Sequence, residues 1–121
     1  GNMLPDLMKR KYGFDPYNRI IEYLLHENEK LDEFYSQIQS GNFGSFIFNA
    51  NKKGTLTEEK MIAIKSLLGS QQMFEIVFDI SENSQYEKYT DGSKRFGHAL
   101  GKFDSLTQYN DCISQFYKII D

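Results

Sequence analysis

The stretch MFEIVFDI, residues 73–80, decides the fold class of this chain. Its large apolar side chains recur at every second position: Phe74, Ile76, Phe78 and Ile80. Glu75 and Asp79 occupy two of the alternate positions. Because successive side chains of a β-strand point to opposite faces, this pattern predicts a strand with one apolar face and one more polar face. We expect this strand to be the central strand of a small sheet.

A second strand is predicted upstream, over residues 43–49, where an apolar run lies between glycines and a polar turn. Between the two strands, Thr55 and Glu58 have the spacing of a capping box, which predicts a helix over residues 57–68 that stops at Gly69. The passage is therefore β-α-β. Its connection is long enough for a parallel pair of strands, and a further strand inserted between the two is the alternative.

A long N-terminal helix is predicted over residues 15–39. Asp15 can cap it, Pro16 suits its first turn, and Gly41 can close it. The broad apolar stripe favours packing on a sheet over a coiled coil, and a break into two helices near residues 26–30 is an alternative. The part from 15 to 33 contains six acidic and two basic side chains, which is typical of a solvated face or of a docking face for a basic partner.

A β-hairpin is predicted downstream of the strand at residues 73–80. Residues 85–90 and 93–98 flank the dipeptide formed by Asp91 and Gly92, which tolerates the positive φ angles of a tight turn. This hairpin contains mostly polar residues, with aromatic residues interspersed among them.

The last predicted element is a helix over residues 106–119, opened by a capping box of Ser105 and Gln108. One side of this helix is apolar and contains Leu106, Tyr109, Cys112, Ile113, Phe116 and Ile120. The elements together predict an α+β fold, with a long N-terminal helix, a β-α-β passage, a β-hairpin and a C-terminal helix packed around one small sheet. We expect residues 1–121 to form a single globular domain, with residues 1–14 as a loosely ordered arm.

Composition supports a folded protein, since 40% of the 121 residues are hydrophobic and 15% are aromatic. The 14 basic and 17 acidic residues give a net charge of −3, which does not favour nucleic acid or an anionic membrane as the partner. No apolar run is long enough to span a bilayer, and no signal peptide is recognisable. With one cysteine and no recognisable signal peptide we expect a soluble, cytoplasmic protein. Gly1 and Asn2 precede Met3, which we interpret as a processed or appended end.

Catalytic patterns are weak in this sequence. Cys112 can pair with His98 as thiol and imidazole, but Cys112 lies on the apolar side of its helix, where an inert core thiol is the usual result. No metal-ligand spacing or phosphate-binding loop occurs, and we expect no cofactor. Asp79, with Glu87 and Lys88 on the next segment, suggests an alternative: a small hydrolase or a metal-dependent nuclease that uses scattered carboxylates.

The hairpin is the best candidate for a binding site, because it mixes aromatic and basic residues: Tyr86, Tyr89, Lys94, Arg95 and Phe96. Tyr and Arg side chains supply much of the energy of protein interfaces, and adjacent strand positions face opposite ways, so we expect about half of this set to serve the core. The sequence thus favours a non-enzymatic protein-protein interaction module, such as an adaptor, an immunity-type inhibitor or a small chaperone. We expect a monomer or a weak homodimer. Nucleic-acid binding through the hairpin is a further alternative.

Overall fold

A computed structural model describes residues 3–13, 15, 17–18 and 41–121. The chain divides into two compact units, residues 1–43 and 44–121. Most of the long helix predicted over residues 15–39 lies outside the described residues. Its predicted cap is described: one carboxylate oxygen of Asp15 accepts hydrogen bonds from the backbone N–H groups of Tyr17 (2.9 Å) and Asn18 (3.3 Å). This is the bonding pattern of a helix N-cap.

Helix α1, Leu4–Tyr12, belongs to the first unit and lies within the segment for which the sequence predicts a loosely ordered arm. A proline stands in its first turn, where the missing N–H removes no helical bond. Gly13 ends it with φ of 74°, and the Gly13 N–H donates to the carbonyl of Lys9. None of its residues is buried. Of the chain's described helices, none is both long and apolar enough to cross a membrane.

Within the described residues the main sheet has three strands: β1 (Asn42–Phe48), β3 (Gln72–Phe78) and β5 (Gly97–Phe103), in the order β1-β5-β3. Strand β5 pairs antiparallel with β3, and Phe48 beside Phe96 at one end and Gly44 beside Phe103 at the other show that β1 also runs antiparallel to β5. The prediction that residues 73–80 form the central strand is therefore wrong, because β5 takes that place. The inserted-strand form of the β-α-β passage is confirmed.

Strand β3 carries a register shift between Met73 and Glu75, so that one extra residue, Phe74, interrupts the pairing with β5. Such a bulge alters the alternation of the side chains on its strand. Ile76, Phe78 and Ile80 pack against the core as the sequence predicts, and Met73 joins them there.

A second sheet consists of β2 (Gly54–Thr55) and β4 (Gln85–Tyr86), paired antiparallel. The predicted hairpin of residues 85–90 with 93–98 is therefore wrong. Asp91 accepts a hydrogen bond from the Ser93 N–H (2.9 Å) and caps a short 3-10 turn, Gly92–Lys94, so the dipeptide starts a helical turn. Strand β5 has β1 and β3 as neighbours, which leaves no edge for β4.

Helix α2, Glu58–Gly69, confirms the predicted helix but begins at another cap. The Thr57 hydroxyl accepts the Lys60 N–H (3.3 Å), whereas the predicted cap, Thr55, lies in β2. Ile64 and Leu68 are its buried residues.

Helix α3, Leu106–Ile120, begins at the predicted cap, where the Ser105 hydroxyl accepts the N–H of Gln108 at 3.1 Å. Cys112, Phe116 and Ile120 are buried. Leu106 is 72% exposed, so its predicted place on the packed side is wrong. It lies in the first turn, beyond the part of the helix that covers the core.

The core of the second unit is largely aromatic and lies under α2 and α3. Phe48 stacks on Phe116 with ring centroids 5.3 Å apart, and Phe46 meets the same Phe116 ring edge-on at 4.8 Å. Tyr86 and Phe96 stack at 4.8 Å. Rings of this size each bury a large apolar area, so a few side chains supply much of the stability. The structure confirms the predicted α+β class, built on two small sheets instead of one.

Candidate binding site

The sequence-predicted binding residues separate into two groups. Tyr86 (3% exposed) and Phe96 (1% exposed) lie in the core and stack on each other, so their rings cannot contact a partner in this fold. Tyr89 is 40% exposed, Lys94 is exposed, and the Arg95 Nε lies 3.3 Å from a carboxylate oxygen of Asp79. The binding role of the second group stays a prediction.

The Tyr86 hydroxyl forms the centre of a polar cluster although its ring is buried. It donates to the carbonyl of Ile120 (2.8 Å) and accepts from the Lys60 ammonium (2.7 Å). Lys60 also donates to the Ile120 carbonyl at 3.2 Å, and its Nζ lies 5.2 Å from the centroid of the Tyr86 ring. A cation at the carboxyl end of a helix is favourable because the unpaired carbonyls there carry partial negative charge. This cluster therefore fixes the end of α3 against β4 and α2.

Three further hydrogen bonds bring other segments to the same place. The Tyr89 N–H donates to the Ala50 carbonyl at 2.8 Å, which holds the segment after β4 beside the segment after β1. The Asn51 backbone N–H and side-chain amide donate to the Asp121 carboxylate at 3.1 and 2.7 Å. We call the surface formed by residues 49–53, 86–89 and 117–121 together with Lys60 the junction.

Tyrosine side chains lie at the junction with different exposures. The Tyr117 hydroxyl donates a short hydrogen bond to the Asn49 side-chain carbonyl. Burial raises the pKa of Tyr117, and the nearby Asp121 carboxylate raises it further, against a smaller lowering by the bond to Asn49. The electrostatic interaction with Tyr89 also raises the pKa of Tyr117. Tyr89 is the more exposed of these two tyrosines, and its backbone is held by the hydrogen bond to Ala50. The junction therefore presents a tyrosine ring on a hydrogen-bonded backbone.

The junction carries more positive than negative side chains. Its cations are Lys52, Lys53, Lys60, Lys88 and Lys118, and its carboxylates are Glu87 and Asp121. Lys53 and Glu87 form an ion pair of 3.6 Å whose side chains remain 59% and 52% exposed. An exposed pair of this kind contributes about 0–1 kcal/mol, so another charged group can replace either member.

The residues considered for catalysis do not come together. Cys112 is buried in the core, and burial raises the pKa of its thiol. His98 Nε2 lies 2.9 Å from Glu75 on β3, and its buried Nδ1 has no hydrogen-bond partner in the described part of the chain. Ala99 and Phe103 of β5 join the core, and His98 alternates with them, so its ring and the Cys112 thiol lie on different faces of the sheet.

The carboxylates proposed for a hydrolase or nuclease are also apart. Asp79 pairs with Arg95, whereas Glu87 pairs with Lys53 at the junction. Among the described residues no group of three or more His, Cys, Asp and Glu side chains has the geometry to hold a metal ion.

The junction could not be recognised in the sequence, because the hydrogen bonds that join its segments span 26 to 70 positions along the chain. Tyr86 and Tyr89 are the junction members that the sequence-predicted binding set included. Lys52, Lys53 and Lys60 lie in segments interpreted only as a turn and a helix start, and nothing local marks them as neighbours of Tyr89.

Comparison with known proteins yields a fold and no family. No family model matches the sequence, and neither does any curated protein. The chain resembles the crystal structure of phosphoribosylglycinamide synthetase from Anaerococcus prevotii, with a TM-score of 0.53 and 23% sequence identity, over 99% of this chain and 30% of that one. The chain thus spans less than a third of the length of the solved structure it matches. At this identity the likeness shows the fold alone.

Proposed function

We propose that this chain is a protein-binding module and that the junction is its contact surface. The observation that carries the proposal is the hydrogen bond from the Tyr89 N–H to the Ala50 carbonyl, which fixes a 40%-exposed tyrosine beside exposed lysines. Tyrosine is among the residues that supply most of the energy of protein interfaces. A ring held on an ordered backbone loses less conformational entropy on binding than one on a mobile loop.

The likeness to a solved synthetase supports this proposal only through the share of the longer chain that it covers. A unit of this fold accounts for 30% of that longer chain, so the fold occurs as one region of a larger protein. Surfaces of such a region can be occupied by neighbouring regions or by separate proteins. The reaction of the synthetase is not carried over, because fold does not determine function.

Site-specific photo-crosslinking tests the proposal directly. A photoreactive phenylalanine analogue is placed at position 89 or, as the control, at position 106, and the products are identified by mass spectrometry in cells that make the protein. Leu106 is a suitable control because it is 72% exposed and lies at the opposite end of α3 from the junction. We expect a discrete protein adduct from position 89 and none from position 106.

The purified adduct partner then provides a quantitative test. Tyr89→Ala should weaken its binding by about thirtyfold, the effect of losing an interface anchor worth about 2 kcal/mol, and Leu106→Ala should leave it unchanged. Circular dichroism checks that both variants remain folded. Equal crosslinking from both positions, or an unchanged affinity for Tyr89→Ala, would refute the proposal.

A further inference from the structure

We infer that the junction recognises an acidic peptide segment of its partner protein. This inference rests on the proposed function and adds the chemistry of the ligand. Electrostatic complementarity between two surfaces speeds their encounter and selects among partners, so the charge of a contact surface indicates the charge of what it binds.

Charge is distributed unevenly over the chain. Five lysines and two carboxylates give the junction a net charge of +3, whereas the whole chain has a net charge of −3. The residues outside the junction therefore carry −6. A positive surface on a negative protein attracts short acidic ligands to one place and repels them elsewhere.

The lysines of the junction differ in what they already bind. Lys60 is held by Tyr86 and the Ile120 carbonyl, so its role is structural. Lys52, Lys88 and Lys118 are exposed and, within the described residues, form no ion pair of 4 Å or less. Lys53 has its exposed pair with Glu87. Four ammonium groups of the junction can therefore meet carboxylates of a ligand.

A peptide suits this surface better than a nucleic acid does. Glu87 and Asp121 lie inside the junction, where they would repel consecutive phosphates. Beyond the junction, the chain's excess of carboxylates opposes a longer polyanion, since charges interact over about 8–10 Å at ordinary salt. A short peptide segment can place a few carboxylates on the lysines. It avoids the two carboxylates inside the junction and does not reach the negative charge beyond it.

The experiment measures binding of three fluorescent probes of equal length by anisotropy. They are a peptide of Glu and Asp around one Tyr, its Gln and Asn counterpart, and an oligothymidylate. We expect the acidic peptide to bind tightest, and its binding to weaken as sodium chloride rises from about 50 mM to about 500 mM. Equal binding of the acidic and neutral peptides would overturn the inference, and tighter binding of the oligothymidylate would assign the surface to nucleic acid.

Two double charge-reversal variants test whether the lysines of the junction are responsible for binding the acidic peptide. Lys52→Glu with Lys88→Glu should weaken acidic-peptide binding by about tenfold, because both attractive contacts become repulsive. Lys9→Glu with Lys65→Glu changes the net charge equally at exposed positions outside the junction and should alter binding less than about twofold. Equal losses in both variants would show a non-specific charge effect and overturn the inference.

The same variants separate this inference from the proposed function. If the crosslinked partner requires Tyr89 but binds the junction reversal as tightly as the original chain, the partner is not acidic and the binding-module proposal stands. If crosslinking from position 89 finds no partner, the module proposal fails, whatever the peptides do.

Discussion

Gly54 faces the ring of Tyr86 where β2 pairs with β4, and a Cβ atom at position 54 would lie 2.5 Å from the Tyr86 hydroxyl oxygen. Real Cβ atoms do not approach another heavy atom this closely. Tyr86 cannot move aside easily, because its ring stacks on Phe96 and its hydroxyl bonds Lys60 and Ile120. The absence of a side chain at position 54 thus allows β2 and β4 to pair.

Gly54→Ala should lower the free energy of unfolding by about 1–3 kcal/mol, the usual cost of forcing an extra methyl group into a packed site. Urea denaturation measures it. Gly69→Ala is the matched control, since a Cβ there meets nothing within 4 Å and alanine is favoured over glycine in a helix by up to about 1 kcal/mol. If both variants are as stable as the original chain, the pairing of β2 with β4 is wrong.

Phe116→Ala should cost about 3–5 kcal/mol, because Phe116 is fully buried and touches several rings of the core. Phe78→Ala should cost less, since Phe78 is only half-buried, although it packs 5.3 Å from Phe48. Chemical denaturation of the two variants gives the comparison. A larger loss for Phe78 than for Phe116 would contradict the placement of β3 at the edge of the sheet that the described residues form, beside β5.

Local sequence patterns correctly predicted the elements that local interactions stabilise. The capping pair of Ser105 and Gln108 places the start of α3 correctly, because the bond joins residues three positions apart. The alternating residues 73–80 predicted the strand and the core side of Ile76, Phe78 and Ile80, whereas the bulge puts Met73 and not Phe74 on that side. The dipeptide Asp91-Gly92 gave a wrong prediction, because it is compatible with both a hairpin turn and a capped 3-10 turn. The 3-10 turn forms because β5 lies between β1 and β3 and cannot pair with β4.

The candidate site depends on contacts between distant segments and was therefore less predictable. Tyr86 is an aromatic residue in a polar stretch, and this pattern is typical of an exposed interface residue. The structure shows Tyr86 buried, because Gly54 leaves room for its ring. Tyr89, three residues on, is exposed beside Ala50. Nothing in residues 85–90 distinguishes the two tyrosines without knowledge of what pairs with them.

Cys112 should make the protein less stable in alkaline solution. Burial raises the pKa of its thiol above the ordinary value of 9.0, so the folded state keeps the proton to a higher pH than the unfolded state does. The stabilisation is fully present below about pH 9 and is lost as the pH rises from there through the folded-state pKa. Urea unfolding between about pH 8 and about pH 10 should show this decline.

Cys112→Ala is the test of that assignment. The variant should have a shallower decline between about pH 9 and about pH 10, while the decline above about pH 10 remains, because burial also raises the pKa values of Tyr109 and Tyr117 above 10.0. Parallel curves for the two proteins over the lower range would mean that Cys112 does not cause it. Slow reaction with a thiol reagent under native conditions is the companion expectation.

Tyr86→Phe should destabilise the protein more than Tyr109→Phe, although each change removes one hydroxyl. The Tyr109 hydroxyl makes one neutral bond, to the Ser45 carbonyl at 3.0 Å, worth about 1 kcal/mol. The Tyr86 hydroxyl both donates to Ile120 and accepts from the Lys60 ammonium, and bonds to a charged group are worth about 1.5–3 kcal/mol. A double-mutant cycle with Lys60→Met should give a coupling of about 0.5–3 kcal/mol. If the losses are equal and the cycle shows no coupling, Lys60 and Tyr86 do not act together in fixing the end of α3.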